Sequence, residues 1–257
     1  MIEGWDMRAP HISRYRRAFR VNYPGMLRAI IFDCDGVIAD TEPLHFAALQ
    51  SVLGEEGLDL NEERYYREYL ALDDRACFIK AFADRGIALT QEKLSRLIAR
   101  KAAQVEPMMR ENLRLFPGAA GLIRNASQHF LLAVASGALL REVELILRTA
   151  GVSACFRAIV GAEDVARSKP HPDPFLEALA RINAGSTTRI DPIECLVVED
   201  SIYGVQSAHA AGMRCLAVTN SFPREMLVEA ELVVASLADV SLGQLESLFE
   251  KREGRVQ

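Results

Sequence analysis

The sequence predicts a doubly wound α/β fold, a parallel sheet covered on both faces by helices, interrupted once by an all-helical insertion. Three observations predict it. Six short apolar runs are continuous rather than alternating, the pattern of strands buried on both faces. Helical patterns separate most of these runs, as right-handed crossover connections require. From about Leu44 to Asn112 the helical patterns follow one another with no strand between them.

Along the chain, residues 1–25 stand apart. "ISRYRRAFR", Ile12 to Arg20, is basic and lacks the apolar middle of a secretory signal, and Glu3 and Asp6 argue against a transit peptide. We read this stretch as a poorly ordered extension ahead of Met26, because the periodic pattern begins at Arg28. "AIIF", Ala29 to Phe32, is the first strand, and "DCDGV" follows it directly. Asp40 and Thr41 are placed to cap the next helix, with Pro43 tolerated in its first turn. "HFAALQSVLGEEG", "EERYYREYLAL", "DDRACFIKAFADRG" and "QEKLSRLIARKAAQVEPMM" then read as successive helices punctuated by Gly and Asp.

"LFPGAAGLI", Leu115 to Ile123, restarts the α/β rhythm. "LLAVAS" (Leu131 to Ser136), "AIVG" (Ala158 to Gly161), "CLVVED" (Cys195 to Asp200), "CLAVT" (Cys215 to Thr219) and "LVVA" (Leu232 to Ala235) are the further strands. "REVELILRTAG" is a helix stopped by Gly151, and "PFLEALARI" is a helix with Asp173 as N-cap and Pro174 in its first turn. The expected organisation is an extension over 1–25, a catalytic core over 26–43 and 113–257, and a helical cap over 44–112.

Composition narrows the function classes. With 257 residues the chain can form one large domain, or a core with a smaller lobe. A formal net charge of −5 argues against nucleic acid or an anionic membrane surface as the partner. No apolar stretch reaches the roughly 18–20 residues of a membrane span. The five cysteines are odd in number and contain no C-x-x-C pair, so reduced thiols in a cytoplasmic protein are expected, not a zinc ribbon or a disulfide framework. The expected assembly is a monomer or weak oligomer.

In an open α/β sheet, ligands bind beyond the carboxyl ends of the strands. Asp33 and Asp35 follow the first strand, Ser136 and Gly137 the second, and Glu199 and Asp200 the fourth; Lys169 lies in the Pro-rich loop "SKPHPDP". If these strands are neighbours, four carboxylates, one hydroxyl and one ammonium share one sheet edge. Like charges so close force proton uptake unless a cation balances them, and all-oxygen ligation suits Mg²⁺. Mg²⁺ keeps sites for water and phosphate oxygens. Ser136, Gly137 and Lys169 offer a hydroxyl, close backbone approach and a point charge to a phosphate. Of two carboxylates on one loop, one can attack and the other can move a proton. "DCDG" fails as an EF-hand loop, because Val37, Ile38 and Leu44 occupy the positions that need an oxygen ligand, Gly and Glu.

"DCDGV", "SG", "SKP" and "VVEDS" occur in that order, with the helical insertion between the first and second. Together they resemble the four motifs of the haloacid dehalogenase superfamily over Leu27 to about Val234. "DGVIADTEPLH" further resembles its sugar-phosphate branch, which holds β-phosphoglucomutase and CbbY-like phosphatases. The resemblance implies Asp33 as nucleophile and Asp35 as general acid and base, with its backbone carbonyl on the metal. Glu199 and Asp200 would complete an Mg²⁺ site, while Ser136, Gly137 and Lys169 would hold phosphate. True dehalogenases lack the second aspartate, so Asp35 favours phosphoryl chemistry.

For the cap the resemblance is thinner. The segment Asp40–Thr41 corresponds to the hinge. His45 is either a substrate contact or a helix-surface histidine. Arg100 and Lys101 correspond to a basic pair used toward the distal end of a sugar phosphate, or they form a solvated helix face. "LALDDRA" stands at the specificity loop without the mutase's Gly, and with Arg75 displaced. The expected activity is an Mg²⁺-dependent phosphatase acting on a small phosphorylated metabolite, a sugar phosphate, through an aspartyl phosphate. The alternatives are a phosphomutase of the β-phosphoglucomutase type, and a non-catalytic metal-binding protein of the same fold.

Overall fold

The computed structural model describes residues 26–70, 72–186 and 188–250. The extension expected over residues 1–25 lies outside them. In chain order the first half contains β1 (Ala29–Phe32), β2 (Ala39–Asp40), α1 (Glu42–Glu55), α2 (Glu62–Glu68), α3 (Asp74–Ala83), α4 (Gln91–Asn112), β3 (Arg114–Leu115), α5 (Ala119–Ala126) and β4 (Leu131–Ala135). The second half contains α6 (Leu140–Thr149), β5 (Ala158–Val160), α7 (Asp173–Asn183), β6 (Cys195–Glu199), α8 (Ile202–Ala210), β7 (Arg214–Val218), β8 (Leu232–Val234) and α9 (Leu242–Ser247).

β1 is buried at every position, and its uninterrupted apolar run leaves neither face for water. It pairs in parallel with β4 on one side and β6 on the other, at the centre of a six-stranded sheet of order β5-β4-β1-β6-β7-β8. All the sheet's pairings are parallel. The period of two along each strand divides the side chains between two cores. Ile30, Phe32, Leu132, Val134, Leu196 and Val198 pack with α5 and α6 residues such as Ile123 and Ile146. Ala29, Ile31, Ala133 and Val197 pack on the other face with Phe175 of α7 and Val205 of α8. The strand order reverses direction beside β1, which opens a crevice at its carboxyl end. That crevice places the site.

The helical insertion has a core of its own. Leu49, Val52 and Leu53 of α1, Tyr65 of α2, Phe78 and Phe82 of α3, and Leu94 and Leu97 of α4 form a cluster separate from the two sheet cores. Asn61, Asp73 and Thr90 cap α2, α3 and α4 by accepting hydrogen bonds from main-chain amides. Both chain crossings between sheet and cap run through an antiparallel two-strand ribbon, Ala39 against Leu115 and Asp40 against Arg114.

The six apolar runs are the six strands of the sheet, and Gly151 stands just past α6 with φ +64°, as a left-handed helix stop requires. Two expected caps differ. α7 begins at Asp173 itself, with Pro172 before it, because the Asp173 carboxylate binds Arg167 at 2.9 and 3.0 Å. Thr41 precedes α1 but its hydroxyl makes no cap bond; it turns instead to Asp35. All five cysteines are free thiols, and no described helix is long and apolar enough to cross a membrane.

Phe78 is fully buried among cap residues. Phe78→Ala is expected to lower stability in chemical denaturation by about 3–5 kcal/mol, whereas a loss below about 1 kcal/mol would contradict a packed cap core.

Candidate active site

The hydrogen-bond ladder carries Asp33 one residue beyond β1, where its amide donates to Val198 O at 2.9 Å. β6 ends on Glu199, with Asp200 next. Three acidic side chains thereby meet: Asp33, Glu199 and Asp200 each bring an oxygen within 4.8 Å of the others. Lys169 enters this group from the loop before α7. Its Nζ lies 2.9 Å from Asp33 Oδ1 and 2.5 Å from Glu199 Oε1. Gly36 turns the chain away with φ +73°, and a Cβ there would collide with the carboxylate of Asp200.

Each acid has a different environment. Glu199 is saturated: Oε1 takes Lys169, and Oε2 accepts the amides of Asp200 and Ser201 and the Ser201 hydroxyl at 2.8–2.9 Å. Burial opposes its ionisation, but Lys169 and these donors outweigh burial and hold its carboxyl below the usual range. Asp33 is pushed up to about 8 by burial, with Glu199 and Asp35 adding to the effect against Lys169. Burial, Glu199 and Asp33 likewise push Asp200 well up, against a hydrogen bond from Ser221. Asp33 Oδ1 is buried and accepts no aligned hydrogen bond, since Lys169 meets it off-axis. A buried carboxylate oxygen met only by the Lys169 ammonium, two carboxyls raised by burial and by neighbouring acids, and an all-oxygen donor set fit a hard divalent cation.

Asp35 differs again. Its Oδ1 accepts from Thr41 at 2.6 Å and faces His45 Nε2 at 3.5 Å, while Oδ2 accepts from Ser136 at 3.0 Å. Burial raises it, but the hydrogen bonds of His45, Thr41 and Ser136 outweigh burial and bring it to about 2. From His45 the contacts run on into the cap. Lys101 Nζ lies 2.8 Å from His45 Nδ1 and also pairs with Asp74. Gly137 borders the same space, where a Cβ would stand 4.0 Å from Asp73 of the cap.

One cleft between sheet edge and cap is lined by Asp33, Asp35, His45, Lys101, Gly137, Lys169 and Asp200. Ser136 sits just beneath it, bonded to Asp35. Asp40 lies in the β2–β3 ribbon. Two expected cap residues do not reach the cleft. Arg100 points to Glu55 and Glu56 at the end of α1, and Arg75 donates to Gln91 at 3.3 Å on the outer surface. Neighbouring residues on a helix point about 100° apart, so Lys101 facing in turns Arg100 outward.

Residues 30–218 match the family model described as haloacid dehalogenase-like hydrolase. The chain belongs to that family. It is 30% identical to hexitol phosphatase B of Escherichia coli (strain K12) over 234 residues, covering 86% of this chain and 98% of that one. It is 28% identical to β-phosphoglucomutase of Bacillus subtilis (strain 168) over 231 residues, covering 88% and 96%. Its fold matches the crystal structure of β-phosphoglucomutase from Clostridium difficile with a TM-score of 0.77 at 23% identity, over 87% of this chain and 97% of that one. That last likeness speaks for the fold alone.

The site of this family member contains residues that the sequence reading left unassigned. Ser201 seats Glu199, Ser221 bonds Asp200, and Asn220 donates to Gly36 O at 2.7 Å. Ser221 and Asn220 follow β7, so the strand-end rule reaches them. Gly204 lies in the first turn of α8, and a Cβ there would overlap the Glu199 carboxylate. A glycine inside a helical pattern was its signal.

Without metal, the buried carboxylates repel one another. Asp200→Asn removes the carboxyl whose ionisation burial and its neighbours oppose, and keeps an oxygen for Ser221. The melting temperature in excess chelator is expected to rise above wild type; an unchanged or lower value would contradict an electrostatically strained cluster.

Proposed function

We propose that this chain is an Mg²⁺-dependent phosphatase that hydrolyses a small phosphorylated metabolite, a sugar phosphate, through an aspartyl phosphate on Asp33. The observation that carries this reading is Asp33 paired with the Lys169 ammonium at 2.9 Å inside an acidic, all-oxygen cluster, with a second aspartate two residues on. The names of the relatives support it: one is a hexitol phosphatase and another a β-phosphoglucomutase.

Asp33 and Asp200, with the main-chain carbonyl of Asp35, are the proposed metal ligands. Bound there, the cation would hold both carboxylates ionised and offset phosphate charge. Glu199 belongs to the same acidic group, but its oxygens are engaged; its proposed part is to fix Lys169 beside Asp33. Lys169 and the Gly137 backbone then hold the phosphate oxygens, with Ser136 shaping the loop: its hydroxyl accepts from the Ala138 amide and donates to Asp35.

In the first step an Asp33 oxygen attacks phosphorus and the ester P–O bond breaks, with a proton from Asp35 going to the leaving oxygen. In the second, Asp35 takes a proton from the water that attacks the aspartyl phosphate, releasing phosphate and freeing Asp33. The arrangement described suits the second role, since Asp35 is held ionised by Thr41 and His45. The acid role needs those bonds loosened. Thr41 belongs to the hinge, and His45 to the cap, so cap movement is the proposed control.

A mutase must hold a second phosphate at the cap end. The arginines expected there, Arg75 and Arg100, lie outside the cleft, and Lys101 is buried against Asp74. This favours water as the phosphoryl acceptor. Incubation with sugar monophosphates and Mg²⁺ is expected to release inorganic phosphate, to stop in excess chelator and to resume when Mg²⁺ is restored. Isomerisation of the sugar phosphate without net phosphate release would overturn the proposal.

A further inference from the structure

The cap half of the cleft is unusually acidic for a site that receives a phosphate ester. Glu42, Asp73, Asp74 and Glu142 line it, against Lys101 and His45. Three of these acids have protein partners: Glu42 accepts from Tyr65 at 2.6 Å, Asp73 caps α3, and Asp74 pairs with Lys101. Glu142 is different. It is 1% exposed, its Oε2 accepts the Leu139 amide at 3.3 Å, and its Oε1 is buried with no hydrogen-bond partner. Burial also pushes the Glu142 carboxyl up, and in its ionised form this lone acceptor on a cleft wall is costly unless a ligand supplies a donor.

We propose that Glu142 is a specificity-determining residue for the leaving group, accepting a hydrogen bond from a hydroxyl of an uncharged polyol or sugar. This rests on the phosphatase reading above and names its substrate class. Phosphate binds at the Lys169 end, and the distal part of the molecule lies among Glu42, Asp73 and Asp74 on the cap side and Glu142 of the core helix α6. A hydroxyl there supplies the missing donor. A second phosphate, mostly dianionic, or a carboxylate is a poor donor and meets like charge at Asp73 and Asp74. The expected substrates are therefore monophosphates of neutral polyhydroxylated compounds, with bisphosphates and phosphorylated sugar acids rejected.

The test compares esters that differ at the distal end: glucose 6-phosphate, glucose 1,6-bisphosphate, 6-phosphogluconate and glucosamine 6-phosphate, with p-nitrophenyl phosphate as an activity control. Phosphate release is measured as kcat/KM with Mg²⁺, for wild type and Glu142→Gln. Wild type is expected to prefer the neutral ester over both anionic ones by about tenfold or more. Glutamine keeps an oxygen for the Leu139 amide, so the helix cap survives. Its amide nitrogen replaces the orphan acceptor with a donor, and the variant is expected to shift the neutral-to-anionic ratio toward the anionic esters. A role confined to capping α6 would leave that ratio unmoved.

Equal turnover of neutral and anionic esters by wild type would overturn the proposal. So would an unchanged ratio in Glu142→Gln, or a preference for the ammonium ester. Hydrolysis of p-nitrophenyl phosphate with none of the four sugar esters would overturn the substrate class and leave the phosphatase reading standing. No release from any of the five would overturn the phosphatase reading itself.

Discussion

The contact of Lys169 with Asp33 and Glu199 is the constraint on which the rest of the site depends. One buried ammonium stands among three buried carboxylates. Removing an ammonium from water is expensive, and this arrangement stands because Glu199 is saturated with donors and bonds Lys169 directly. Glu199 in turn depends on a helix start with no side chain at Gly204 and on the Ser201 hydroxyl. What remains is charge without enough compensation at Asp33 and Asp200. That imbalance is what a divalent cation and a phosphate group would resolve.

The sheet serves this arrangement by its strand order. Asp33 follows β1, and the acids of β6 follow the strand hydrogen-bonded beside it, so residues more than 160 positions apart in sequence become neighbours by register. Ser136 arrives from β4 on the other side of β1. The cap adds a second chain of contacts, Asp35 to His45 to Lys101 to Asp74, joining Asp35 to α1, α4 and α3. Movement of the cap on the β2–β3 ribbon must therefore be felt at Asp35.

Much of this was legible in the sequence because the signals were local and repeated. Six continuous apolar runs specify buried parallel strands, and polar residues at their carboxyl ends specify the crevice. Other features were not legible, for physical reasons. A two-residue strand such as Ala39–Asp40 has no period to detect. Which of Arg100 and Lys101 faces the cleft is a question of helix rotation that only packing answers. Asp173 looked like an N-cap because its partner, Arg167, is chosen by the shape of the loop. Glu142 carried no motif at all; its unpartnered oxygen becomes visible only when α6 is packed against the cap.

The central claim is that Asp33 carries the phosphoryl group. The direct measurement is to quench the protein with acid during turnover of a sugar phosphate with Mg²⁺, digest it and locate the phosphoryl group by mass spectrometry. The account predicts it on the peptide at Asp33 and nowhere else. Phosphate release proceeding with the group on another residue would contradict it.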